Sequence, residues 1–374
     1  MHLSLNEDQQ LLKDSVARFV EDNYSIERLR KLRDSGAAVD RERWQELAEL
    51  GWLSLPFAEE DGGFGGDAID LMVVMEQFGR GLVTEPFLTN IVICGGLLQG
   101  GSAEQRAGYL GPLMAGDTQW AFAFAEATSR YHLHDVSASA ESDGSGYRLS
   151  GRKISVLNGP AADWLLVTAR TAGERRDSDG ISLFAVAADS PGIQRKGYPL
   201  VDGSQGADIE LDNVHVSADQ VIGEVGAALP LVEDVVSLAI VAIGAESLGA
   251  MDALLEQTVA YTQTREQFGQ PISRFQALQH RMADMYLQCQ SLRSLLYYAA
   301  ILRKEGREDA AQAASALKVK AGDAGRFVSQ QAVQLHGGIG MTDELGISHY
   351  FKRLLLLNAL FGDSEHHLKR YLAA

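Results

Sequence analysis

Cysteine is almost missing from this 374-residue chain. Only Cys94 and Cys289 are present, far apart in sequence, so a disulfide framework is excluded and a reducing cytoplasm fits. A basic surplus is missing too. With 33 Lys and Arg against 50 Asp and Glu, the net charge of −17 excludes nucleic acid or an anionic membrane as the main partner. An anionic ligand gripped by one or two local arginines stays compatible with that balance. The opening residues MHLSLNEDQQLLKD are acidic and polar, with neither a basic n-region nor an apolar h-region, so no signal peptide is expected. No run reaches the roughly 18 apolar residues needed to span a bilayer. The most apolar segment, around Val235 to Ile243, has charge on both sides and reads as a core helix. Internal repeats and low-complexity linkers are also lacking.

What is present falls into three textures. At 46% hydrophobic and 22% charged residues, the chain is long enough for two or three domains with a large core. Residues 1–117 read as an N-terminal helical domain. Leu5, Leu11, Leu12, Val16, Phe19 and Val20 follow 3–4 spacing, and Trp44, Leu47 and Leu50 repeat it before Gly51 stops the helix. The cluster Gly62, Gly63, Phe64, Gly65, Gly66 has no strand before it and no Lys-Ser/Thr after it. It reads as an interhelical turn rather than a phosphate loop. Helical texture resumes from Ala68 through Phe78.

From 118 to 226 the period drops to two, and the segment reads as a middle antiparallel β domain, sandwich or barrel. Phe122 and Phe124, Val136 to Ala140, Tyr147 and Leu149, Ile154 and Val156, Leu165 to Val167, Leu183 to Val186, and Ile209 and Leu211 are the expected strands. Asp143-Gly144, Ser145-Gly146, Asp179-Gly180 and Asp202-Gly203 supply turns. Residues 227–374 are helical again, with Leu278, Met282, Met285, Cys289, Leu292 and Leu296 forming an alternating 4–3 seam. Four antiparallel rods are predicted near 230–264, 273–305, 308–334 and 346–372. The fold class is therefore α+β, in the order helices, strands, C-terminal four-helix bundle.

Arg265 sits near a predicted helix end, with Gly269 and Pro271 as terminators. A cation there compensates the helix dipole; alternatively its planar fork suits a pyrophosphate. Gln276 and Gln334 are either solvent-facing amides or donor–acceptor pairs for a base or ribose edge. Gly337 and Gly338 either cap a helix or let backbone N–H groups approach a ligand. Both uses remain open from the residues alone.

The stretch Tyr261 to Met285, YTQTREQFGQPISRFQALQHRMADM, resembles the C-terminal domain of the acyl-CoA dehydrogenase family. Arg265, Glu266, Phe268-Gly269, Pro271-Ile272, Phe275-Gln276 and Met282 to Met285 match the family motif at its own spacing. Gln334, Gly337, Gly338 and Gly340 match a second. Weaker matches at Gly62 to Gly65, Gly111 to Leu113, and Asn158-Gly159 with Asp163 extend the resemblance along the chain. It implies FAD as cofactor, an acyl-CoA substrate desaturated at α,β, electron-transfer flavoprotein as acceptor, and a tetramer in which two chains build each FAD site. Carried over, it assigns Arg265, Phe268, Gln276, Gln334, Gly337 and Gly338 to the pyrophosphate and adenosine end of a neighbour's FAD. No metal site is expected.

The sequence departs from the family where the reaction needs a base. A weakly acidic α-proton requires a positioned carboxylate. The family's glutamate lies 27 positions after the glutamine matched by Gln334, where this chain has Phe361. The other known base position, on the helix before the arginine motif, is Ala239. Asp363 is the alternative base, and its use would need a two-residue displacement that turns a side chain by about 200° on a helix. His366-His367 point apart on a helix and read as surface residues. The family's flavin-ring contacts fall on Ser155 and Leu157, and its preceding loop reads Glu126 to His132. The resemblance thus points to a subunit serving a catalytic paralogue in an α2β2 assembly. The alternatives are a self-sufficient homo-oligomer with a relocated base, or a flavin monooxygenase, oxidase or structural chain on the same fold.

Overall fold

Capping chemistry and apolar spacing set the helices. In the computed structural model, which describes residues 5–373, Asn6 and Gln9 form a reciprocal capping box that starts α1 (Glu7–Asn23). Asp40 caps α3 (Arg41–Glu49), and Gly51 ends that helical segment with φ +77°. Asp67 and Asp70 box the start of α4 (Ala68–Gly81). The remaining helices are α2 (Ile26–Ser35), α5 (Gly96–Leu98), which continues a π-helical stretch Leu88–Gly95, α6 (Ala103–Met114), α7 (Leu229–Thr264), α8 (Gln276–Lys304), α9 (Ala310–His336), α10 (Gly346–Ala359) and α11 (Ser364–Ala373). Between the two helical runs lie eight strands: β1 (Trp120–Ala123), β2 (Ser139–Ser142), β3 (Gly146–Leu157), β4 (Trp164–Arg170), β5 (Ile181–Ala187), β6 (Ile193–Pro199), β7 (Gln205–Ser217) and β8 (Val221–Ile222). The chain therefore runs helices, sheet, helices.

Two compact units cut across the three sequence textures. One holds residues 36–66 and 85–239, the other residues 1–35, 67–84 and 240–374. The first is built on the eight-stranded sheet, ordered β6-β7-β3-β2-β4-β5-β8, with β1 pairing β4 in parallel and the long pairs antiparallel. All four tryptophans, Trp44, Trp52, Trp120 and Trp164, belong to it. Trp120 and Trp164 stack with ring centroids 5.4 Å apart, and Tyr109 meets both edge-on. The strand expected over Val136 to Ala140 begins only at Ser139. β6 has no counterpart in the predicted set, because its residues 194–197 are exposed and carry no apolar alternation.

The second unit is helical. α4 and α7 cross at glycines: a Cβ on Gly79 would lie 2.0 Å from the Glu246 carbonyl oxygen, and one on Gly249 1.9 Å from that of Glu76. The helices approach more closely than any side chain would allow. The α8 seam is buried at Met285, Cys289, Leu292 and Leu296, and only half-buried at Leu278 and Met282. Leu11, placed in a core stripe by its spacing, is exposed, while Val16 and Val20 carry that contact. The fourth predicted rod is two helices, α10 and α11, broken at 360–363. α7 contains an 18-residue window of mean hydropathy 1.7, more apolar than the sequence reading allowed, and 83% of that window is buried in the fold. It packs as a core helix. Cys94 and Cys289 are both free and buried.

Candidate functional site

The residues matched by the two C-terminal motifs meet at one end of the helical unit. α7 stops at Thr264, before Arg265 rather than at Gly269, because the next residues turn into a two-stranded hairpin, β9 (Glu266–Gln267) and β10 (Gln270–Pro271). Its turn residues Phe268 and Gly269 both have positive φ, +54° and +78°, as a type I′ hairpin requires. The turn throws the Phe268 ring outward until it is 90% exposed, edge-on to Phe275 with ring centroids 6.0 Å apart. Arg265 is fixed through its backbone: its N–H donates to Tyr261 O and its carbonyl accepts from Ile272 N, each at 2.8 Å. Gln276 opens α8, and Gln334 stands in the last turn of α9. Tyr261 stacks on His336 at 4.3 Å, which ties the end of α7 to the end of α9.

The side chains of Arg265, Gln276 and Gln334 are exposed, and among the described residues none forms a hydrogen bond or ion pair with them. Helix-end compensation alone does not explain three such groups gathered together. Gly337 caps α9 with φ +64°, its N–H donating to Gln334 O and Val333 O. That amide is therefore spent, and the glycine contributes open surface instead. No atom comes within 4 Å of a Cβ built on Gly269, Gly337 or Gly338.

The base position is a buried corner. Phe361 is 9% exposed with φ +55°, followed by Gly362 at φ +116°. Lys318, which sequence reasoning missed, and His367, which it placed at the surface, hold it. Lys318, 1% exposed, donates its three N–H groups to Leu357 O, Asn358 O and Gly362 O at 2.8–2.9 Å. It thereby satisfies carbonyls at the end of α10. Burial pushes its ammonium down to about 7, against the pull of Asp363. His367 is fully buried, correcting its surface assignment, and its Nε2 lies 2.9 Å from Phe361 O. Burial pushes that imidazole down to about 3. The signal for Lys318 was its place in the apolar stripe Ala314, Leu317, Ala321, Gly325 and Val328 on α9. Asp363 accepts the N–H of His366 at 2.9 Å and so caps α11. Ala239 is fully buried in α7 and offers only a methyl group.

In the sheet unit, the loop after β1 is closed on itself. The Glu126 carboxylate accepts from Ser137 N, Ser137 Oγ, Ala138 N and the buried Lys153 Nζ, the last at 2.7 Å. Lys153 and the hydrogen bonds hold Glu126 below its usual carboxylate range despite burial. Arg170 donates to six backbone carbonyls from residues 134 to 179, pinning the same loop to its neighbour. Ser155 sits on a bulge at φ +52°, with its N–H directed to Tyr198 Oη and Asp208 Oδ1. Leu157, half-buried, ends β3. The Glu126 carboxylate, Lys153, Arg170 and the Ser155 N–H are therefore committed within the chain.

The glycine cluster is a turn. The five amides of residues 62–66 donate to Glu59, Ala58, Ser54, Phe57 and Leu55 carbonyls, leaving none to cradle a phosphate. Among the described residues no group of three or more His, Cys, Asp or Glu side chains could hold a metal.

Comparison with known proteins accords with this geometry. The acyl-CoA dehydrogenase N-terminal, middle and C-terminal domain families match residues 6–117, 121–214 and 236–374. The probable acyl-CoA dehydrogenase YngJ of Bacillus subtilis is 29% identical over 98% of this chain and 97% of its own length. Butyryl-CoA dehydrogenase from Megasphaera elsdenii superposes with a TM-score of 0.92 at 27% identity, covering 100% of this chain and 99% of that one. A chain of the ChsE4-ChsE5 complex from Mycobacterium tuberculosis gives 0.90 at 29% identity, covering 100% and 98%. Three consecutive domain matches along one chain, with the same fold in its solved relatives, mean that this protein belongs to the acyl-CoA dehydrogenase family.

Proposed function

We propose that this chain is a cytoplasmic acyl-CoA dehydrogenase subunit that lends the adenosine half of an FAD site to a catalytic paralogue in an α2β2 assembly. The observation that carries the reading is the pairing of an available half-site with an unavailable base. Among the described residues Arg265, Gln276 and Gln334 have no partner, whereas Phe361 fills the base position and Asp363 is occupied as a helix cap. In this reading residues 227–374 carry the half-site and oligomerisation, beyond a helical segment 1–117 and a β segment 118–226.

Each residue has a defined task. The Arg265 fork holds a pyrophosphate by charge-assisted hydrogen bonds. Gln276 and Gln334 read the adenosine edge, Phe268 offers a stacking face, and Gly337 and Gly338 keep the surface low enough for approach. FAD, when bound, supplies the hydride acceptor for α,β-desaturation of an acyl-CoA, with electron-transfer flavoprotein taking the electrons onward. At the flavin-ring end, Ser155 and Leu157 stand where the family carries its ring contacts, and the Ser155 N–H is engaged by Tyr198 Oη and Asp208 Oδ1. No desaturation step is therefore assigned to its own residues.

The test compares the purified chain with its co-expressed complex with a glutamate-bearing paralogue. The complex is expected to carry one flavin per pair of unlike chains and to be bleached by an acyl-CoA, while the isolated chain is not. Fast bleaching by the isolated chain, abolished by Asp363→Asn, overturns the reading in favour of a self-sufficient enzyme.

A further inference from the structure

Helix α2 is held to the helical unit without a single buried residue, so apolar burial does not fix its place. Two contacts on one of its faces set it against the chain that follows α9. Ile26 packs where α10 begins: a Cβ on Gly346 would lie 3.2 Å from Ile26 Cδ1, and the glycine lets the two helices close up. Two helical turns further along α2, Arg33 Nη1 donates to Asp343 Oδ2 at 2.6 Å.

Asp343 stands at the far end of the turn that begins with Gly337 and Gly338. Within residues 337–345 only Gly340 is buried, while Ile339 and Met341 are exposed, so no side chain of the segment anchors it in the core. Its other ties are local. The Thr342 carbonyl accepts from Ser348 Oγ at 2.9 Å, and the Asp343 carbonyl accepts from His349 Nε2 at 3.2 Å. Lys352, the other cation near the Asp343 carboxylate at 3.6 Å, also belongs to α10. Among the described residues, Arg33 makes the only hydrogen bond or ion pair that reaches this segment from outside α9, α10 and the turn itself.

The near end of the turn has little support. Gly337 has φ +64°, and no atom lies within 4 Å of a Cβ built on it or on Gly338. A turn released at Asp343 would pivot at these two glycines.

We infer that Arg33 is a positioning residue for the half-site: by drawing Asp343 to α2, it fixes the far end of the turn whose near end carries Gly337 and Gly338. This rests on the reading of that end of the helical unit as a half-site for FAD. It makes the cofactor surface of the C-terminal segment depend on a helix from the N-terminal one. The pair is about one-third exposed, and exposed ion pairs contribute little, so the effect is modest.

The isolated chain tests the tether, and its complex with a glutamate-bearing paralogue tests the purpose. In the isolated chain, Arg33→Ala should lower the methyl order parameter of Ile339, leave that of the buried Ile243 unchanged, and hardly move the melting temperature. In the complex, followed by flavin fluorescence, Arg33→Ala and Asp343→Asn should each raise the FAD dissociation constant by about threefold. The double variant should lose no more than either alone, and Arg33→Lys, which keeps the charge, should restore part of the loss. Arg265→Ala is the control. If it weakens FAD binding and Arg33→Ala does not, the inference is overturned and the half-site reading stands. If neither weakens it, the half-site reading fails and takes the inference with it. Additive losses in the double variant also overturn the inference, because Arg33 would then act without Asp343.

Discussion

His367 Nε2 lies 2.9 Å from the carbonyl oxygen of Phe361, across the corner that joins α10 to α11. A carbonyl only accepts, so Nε2 carries the hydrogen. With Lys318 on the adjoining carbonyls, this bond holds residue 361 at a positive φ that a phenylalanine rarely adopts.

That contact makes the fold sensitive to acid. Burial lowers the His367 imidazole from 6.5 to about 3, so below pH 6.5 the unfolded chain gains a proton that the folded chain refuses. Stability from the neutral ring is whole above 6.5 and drains as pH falls towards 3. At pH 5 the loss is about 2 kcal/mol. Urea unfolding at pH 7 and pH 5 should show a steeper decline for the wild type than for His367→Gln. Equal declines would show that this ring does not set the acid limb.

Asp363 should behave as a cap. Asparagine caps as well as aspartate, so Asp363→Asn should change stability by less than about 0.5 kcal/mol, and Asp363→Ala should cost about 1 kcal/mol. Neither should alter the rate at which an acyl-CoA bleaches flavin in the paralogue complex. Thermal melts and stopped-flow absorbance check the two halves separately.

Arg265 should matter to flavin and not to folding. Its guanidinium is exposed and unpaired among the described residues, so Arg265→Ala should leave the melting temperature of the isolated chain nearly unchanged. In the complex it should weaken FAD retention by roughly 1.5–3 kcal/mol, the range for hydrogen bonds to charged groups. Flavin content after gel filtration measures it, and full occupancy would return Arg265 to a dipole-compensating role.

Apolar spacing made the long helices and most inner strands legible, because burial on one face imposes a period that composition alone reveals. β6 was invisible for the same reason: an edge strand reading Gln194, Arg195, Lys196, Gly197 buries nothing and shows no alternation. The region 136–138 looked like strand, yet Glu126 at the start of the same loop takes the amides of Ser137 and Ala138. The proposed half-site was readable as a motif because its residues keep their spacing within the α7–α8 connection and at the end of α9. The corner at Phe361 was not. Lys318 and His367 act through backbone carbonyls contributed by another helix or by a turn, and a carbonyl has no letter in a sequence.

The confinement of all four tryptophans to the sheet-containing unit has a consequence for any spectroscopy of this protein. Indole emission is silent about the helical unit, where the proposed half-site and the Phe361 corner reside. Far-ultraviolet circular dichroism, weighted towards helix, samples chiefly that silent part. If the two units lose structure together the two denaturation curves coincide; if not, they separate without any label or mutation. The chain thus carries its own two-channel readout of cooperativity.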